Sequence, residues 1–107
     1  MTRYVLIDKH SGYVWGEAEA DDPVDACRRL DAEIAGNGYV DEHEYCLGNA
    51  EQQRDASQGY FVYVAPDDWP EVTDGRSQTE IERVMALPEV AYVSVRRRAP
   101  DYPVLET

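Results

Sequence analysis

The apolar positions fall into short runs separated by turn residues, and they recur with two different periods. Tyr4-Val5-Leu6-Ile7 is a continuous run of β-formers. Lys9-His10-Ser11-Gly12 breaks it, Tyr13-Val14-Trp15 resumes it, and Gly16-Glu17-Ala18-Glu19-Ala20 alternates acidic and small residues. The pattern predicts a β-hairpin over 3–8 and 13–19. Asp22-Pro23-Val24-Asp25 then opens a helix. Asp22 caps it, Pro23 suits the first helical position, and Asp25 lies at the positive end of the dipole. Val24, Cys27, Leu30 and Ile34 recur at helical spacing as an apolar stripe, with Arg28, Arg29, Asp31 and Glu33 mostly off it. Gly36-Asn37-Gly38 ends the helix.

Further along, Glu44-Tyr45-Cys46-Leu47 admits a strand, and the polar stretch 48–58 reads as a loop. Tyr60-Phe61-Val62-Tyr63-Val64 is the clearest strand in the chain. Pro66 and Pro70 bracket a loop. Ser77-Gln78-Thr79-Glu80 has the spacing of a capping box, and Ile81, Val84 and Met85 form the expected buried side of a second helix. Leu87-Pro88 stops it, and Val90 to Val95 makes the last strand. Arg96-Arg97-Arg98 follows, then a proline-containing tail over 99–107, expected to be flexible or extended.

The order is β-β-α-β-β-α-β. With the hairpin treated as one bent strand, it matches the split βαβ, ferredoxin-like pattern. The expectation is a single α+β domain over 1–107, an antiparallel sheet with both helices on one face.

Composition supports a packed core. Hydrophobic residues make up 43% of the 107, which excludes a disordered acidic segment. No run reaches the ~18 apolar residues of a membrane helix. The N-terminal run breaks at Asp8 and lacks a signal-peptide core, so a cytoplasmic location is expected. Cys27 and Cys46 make no disulfide framework and are expected as free thiols. Cys27 on the helical stripe should pack as a small hydrophobe.

Charge narrows the choice of partner. The chain carries 22 acidic residues against 10 basic ones, for a net charge of −12. Residues 17–82 hold 18 of the acids and four arginines, and so carry the entire excess. Such a field repels nucleic acid and anionic membranes and speeds encounter with basic surfaces. The chain is therefore expected to bind a basic protein and not nucleic acid itself. Acids two apart on a strand stand about 6.6 Å apart, similar to neighbouring phosphates on one nucleic-acid strand. Glu17, Glu19 and Asp21 fit that spacing, as do Glu42 and Glu44. Asp67, Asp68, Glu71 and Asp74 make a second cluster around Trp69. These ten residues are the candidate partner-binding site, with the aromatic side chains as anchors.

Catalytic and metal chemistry find no comparable pattern. His43 and Cys46 are three apart, and Cys27 and His10 are the only further histidine or cysteine donors, without the paired spacing of zinc sites. Asp67 to Gly75 is oxygen-rich but lacks the alternating acids of a calcium loop. No glycine-rich phosphate cradle occurs. No catalytic residue, metal or cofactor is expected.

In size, single-domain organisation, acid excess and lack of a catalytic signature, the chain resembles small phage-encoded inhibitors, including acidic anti-CRISPR proteins. That resemblance is one of type, covering composition over the whole chain. It implies a non-catalytic inhibitor that imitates DNA and occupies a basic, nucleic-acid-binding surface of its partner. The alternative is an antitoxin or immunity protein that neutralises a basic toxin or nuclease. Asp22-Pro23-Val24-Asp25-Ala26 after an alternating strand is similar to the strand-to-helix passage of HicB-type antitoxin domains.

Overall fold

Two continuous apolar runs, Tyr4–Ile7 and Tyr60–Val64, become the neighbouring inner strands of an antiparallel five-stranded sheet. The structure, a computed structural model, describes residues 1–48 and 58–98. Within them the elements are β1 (Thr2–Asp8), β2 (Val14–Ala20), α1 (Pro23–Ala35), α2 (Asn37–Glu42), β3 (His43–Leu47), β4 (Gly59–Ala65), α3 (Gln78–Met85) and β5 (Glu89–Arg97). The strand order is β2-β1-β4-β5-β3. The architecture is α+β, compatible with a ferredoxin-like fold. The expected tail over 99–107, and most of the expected loop over 48–58, lie outside the described residues.

The helices do not share one face. Tyr4, Leu6, Tyr60 and Val62 pack with Ala26, Cys27 and Leu30 of α1. Val5, Ile7 and Tyr63 point the other way and pack with Ile81 and Val84 of α3. The reason lies in the two inner strands. Side chains alternate across a strand, so an unbroken apolar run presents hydrophobic groups to both faces, and both must be covered. Burying each such aliphatic side chain contributes about 1.5–3 kcal/mol.

Helix α1 starts as its sequence requires. The Asp22 carboxylate accepts a hydrogen bond from the Asp25 amide at 2.8 Å, and Pro23 opens the first turn. Gly36, at φ 91°, ends it in a conformation that favours glycine. Asn37 then begins α2, a short helix that takes in part of the Gly36-Asn37-Gly38 stop and the ambiguous residues 39–42. The apolar stripe of α1 shifts from its expected course. Cys27 and Leu30 are buried, but Ile34 is 52% exposed, and Asp31 takes the buried position. In α3, Ile81 and Val84 are buried while Met85 is exposed, because the short helix turns it away from the sheet. Ser77 caps by position without a side-chain bond, and Glu80 faces Arg83 at 3.0 Å instead of completing a capping box.

A β-bulge disturbs the hairpin. Leu6 pairs with Gly16 and Ile7 with Val14, which leaves Trp15 unpaired. Such an extra residue re-aims its side chain. Without it, alternation from Glu17, opposite Val5, would put Trp15 on the α3 face and Val14 on the other. With it, Trp15 turns toward α1, beside Gly16. A Cβ on Gly16 would lie 3.0 Å from Leu30 Cδ1, so the glycine lets α1 approach β2 closely.

Candidate functional site

Arg3 draws the two principal acidic clusters together. Its Nη2 meets Glu17 Oε2 at 2.7 Å, and its Nη1 donates to the backbone carbonyl of Trp69. The 66–77 loop is thus tied to β2 at one end. At the other end the Val14 amide donates to the Gly75 carbonyl at 2.8 Å. The loop runs along the β2 edge of the sheet and places Glu71 beside Glu17 and Glu33. These acids rim a depression of about 470 Å³ that also exposes Trp15, Ile34 and Val72. Trp15 is 40% exposed there. Glu19 on β2, Asp21 just past its end, and Asp67, Asp68 and Asp74 on the loop are exposed.

Not every expected acid behaves alike. Glu17 is half-buried and paired with Arg3, so its charge is largely answered within the fold. Glu19 stands opposite Arg3 in the strand register. Asp74 accepts from the Arg76 amide at 3.0 Å, a turn contact that leaves the side chain exposed. Trp69 is no free anchor. It is half-buried, with the Arg83 guanidinium 4.9 Å and that of Arg3 5.8 Å from its ring centroid. The anchor exposed at the depression is Trp15.

Glu42 and Glu44 lie at the opposite edge of the sheet. Glu42 ends α2 and does not belong to a strand, so the two do not share strand spacing. Glu44 pairs in register with Arg96, and Glu42 approaches Arg97 at 3.9 Å. The arginine run therefore meets these two acids, and they form no continuous field with the others.

Beside the depression, and sharing Trp15 with it, lies a polar cluster that the hydrophobic pattern did not reveal. The side chain of Asp31, 2% exposed, accepts hydrogen bonds from Trp15 Nε1 at 3.1 Å, Tyr45 Oη at 2.6 Å and Tyr60 Oη at 2.7 Å. One helical carboxyl group thus gathers β2, β3 and β4. Burial pushes the Tyr45 and Tyr60 hydroxyls far above the usual tyrosine range, and the hydrogen bonds and charge of Asp31 push them further. Burial likewise raises the Cys27 thiol, with Asp31 and Asp22 adding to it. Cys27 is fully buried and inert in this setting. A signal for the cluster was present: residues 27, 30, 31 and 34 follow i, i+3, i+4, i+7 spacing, which puts an acid at a core position.

Outward from Asp31, a cleft of about 110 Å³ is lined by Asp8, His10, Trp15, Tyr39 and Tyr60. His43 stacks on Tyr39 with ring centroids 3.9 Å apart. Among the described residues, no three His, Cys, Asp or Glu side chains come together as metal ligands do, and no helix is long and apolar enough to cross a membrane. Comparison with protein-family models, curated proteins and solved structures finds no match to this chain.

Proposed function

We propose that the chain is a non-catalytic binding protein whose acidic β2 edge occupies a basic, nucleic-acid-binding surface of a partner protein. One observation carries this reading. Acids remote in sequence, on β2, α1 and the 66–77 loop, rim a single depression around the exposed side chains of Trp15 and Ile34. An apolar anchor inside a charged rim is the arrangement of binding surfaces in general. Here the charge has the sign that a phosphate-binding groove seeks. The net charge of −12 opposes direct binding of DNA or RNA by the chain itself.

The test is capture from a source-cell lysate by the native chain and by two variants. One variant carries Asp67→Lys, Asp68→Lys, Glu71→Lys and Asp74→Lys; the other carries Glu42→Lys and Glu44→Lys. The expected partner is a basic nucleic-acid-binding protein, retained by the second variant and lost by the first. Its nucleic-acid binding should fall as the native chain is added, and association should slow with salt, since exposed charges are screened over roughly 10 Å at 0.1 M. Equal capture by the native chain and the loop variant, or undiminished nucleic-acid binding at saturation, would overturn the reading. A captured toxin that binds no nucleic acid would move the protein to the immunity class.

A further inference from the structure

We propose that the cleft beside Trp15 receives a cationic side chain, an arginine guanidinium presented by the partner. The inference deepens the function proposed above and rests on it for the identity of the partner, while the chemistry of the cleft stands on its own geometry.

Three aromatic residues, Trp15, Tyr39 and Tyr60, line the cleft. The Trp15 and Tyr60 rings lie 6.2 Å apart, centroid to centroid, tilted by 31°. Asp8 lines the same space, and Asp31 stands behind Trp15 and Tyr60 as the acceptor of both. Aromatic faces with a carboxylate, Asp8, beside them attract a cation, and His10 and Gln58 complete the polar part of the lining. The space, about 110 Å³, is smaller than an engineered cavity of ~150 Å³ that takes benzene. It fits a flat head group and not a whole metabolite.

The negative field reaches the cleft wall. The Tyr39 hydroxyl is held above its ordinary value by burial first, and then by the charges of Asp31 and Asp8. The bulge supplies the remaining element. It sets Trp15 between the acidic depression and the cleft, so one indole lines both. A basic surface docked on the depression has an arginine-sized recess next to it.

The probe is N-acetyl-arginine amide, followed by the Trp15 indole N–H signal in nitrogen-labelled protein. Trp69→Phe assigns the two indole signals. That N–H is the group bonded to Asp31, so it reports directly on the cleft. The neutral, nearly isosteric N-acetyl-citrulline amide is the control and requires no variant. A saturable shift with the arginine compound is expected, with affinity at least about fivefold weaker for citrulline. Tyr39→Phe, which keeps the ring, should bind as the native chain does, and Tyr39→Leu should lose most of the affinity.

Equal shifts with both compounds, or no saturable shift of Trp15, would overturn the proposal. The two readings fail separately. Arginine that leaves Trp15 unmoved removes the cleft and leaves the depression to its charge-reversal test. Arginine that binds when no basic protein is captured keeps the cleft and removes the docking reading.

Discussion

The two faces of the sheet hold buried charge in opposite ways. On the α1 face, one carboxyl group, Asp31, receives three neutral donors from three strands. On the α3 face, two guanidinium groups, Arg3 and Arg83, close over one indole, Trp69, with Glu17 and Glu80 as their counter-charges. The first arrangement has a single acceptor on which every bond depends. The second has several overlapping contacts. Arg3 alone reaches the carbonyls of Pro66, Asp67 and Trp69 as well as Glu17. A hub with one centre fails as a whole when that centre is removed, whereas a clamp with many contacts loses them one at a time.

The largest effect should follow from removing the hub. Asp31→Ala leaves two buried tyrosine hydroxyls and one part-buried indole N–H without their acceptor. Each orphaned buried group costs about 1–3 kcal/mol, and such costs do not add fully. A loss of roughly 3–5 kcal/mol is expected, a large part of the 5–15 kcal/mol typical of a domain. Asp31→Asn keeps one oxygen acceptor and should lose about 1–2 kcal/mol. Urea unfolding of both variants measures this. A cost below about 1 kcal/mol for Asp31→Ala would mean that the donors find other acceptors and that the hub is no hub.

Alkaline pH probes the same face without a mutation. The folded state raises Tyr45, Tyr60 and Cys27 above their ordinary values, chiefly by burial. Below about pH 8 both states hold these protons, and the groups add no slope. Above about pH 9 for the thiol, and about pH 10 for the tyrosines, the unfolded chain releases protons that the folded chain keeps. The unfolded state then binds fewer protons, so stability falls as pH rises, by about 1.4 kcal/mol per pH unit for each group. Tyr63 on the α3 face is raised as well, by burial and by Glu89. The comparison is therefore sharpened with Asp31→Asn. Its decline should start with the same slope, which the unfolded chain sets, and level off at a lower pH, because burial remains but the charge that helps raise Tyr45 and Tyr60 is gone. A decline that continues unchanged to the same pH as that of the native chain would assign the effect to burial alone.

The sequence made the strands legible and left the hub obscure, for one physical reason. Strands and helix starts are written in local signals. The run Tyr4–Ile7, the Asp22-Pro23 cap and the run Tyr60–Val64 each stand within about a residue or two of the observed elements. The expectation of both helices on one face missed their division between two, although the unbroken apolar runs, which need cover on both sides, carried the signal for it. By residue type, Asp31 groups with the charged residues mostly off the apolar stripe, although its spacing from Cys27 and Ile34 fits the buried side. Its burial depends on donors at positions 15, 45 and 60, which only the sheet order and the bulge bring together. The acidic clusters were legible as composition. Their union at the β2 edge was not, since it rests on Arg3 and on the backbone bond between Val14 and Gly75. The separation of Glu42 and Glu44 from that field likewise follows from β3 lying at the far edge.

The smallest effect tests the redundancy of the clamp. Glu17→Gln removes the carboxylate that meets Arg3 at 2.7 Å, while the carbonyl oxygens of the 66–77 loop remain as its acceptors. The Arg3 side chain is only 13% exposed, so an unanswered cation there would be costly if Glu17 were its sole partner. It is not the sole partner, and Gln still offers an oxygen. The expected loss is about 0.5–1 kcal/mol, shrinking as salt is raised, which is the behaviour of a partly exposed pair. Urea midpoints for native and variant at low and high salt check it. A loss as large as that of Asp31→Ala, and insensitive to salt, would make Glu17 the centre of a second hub. The two faces would then be built alike, and Glu17 could not be spared from the fold to meet a partner's cation.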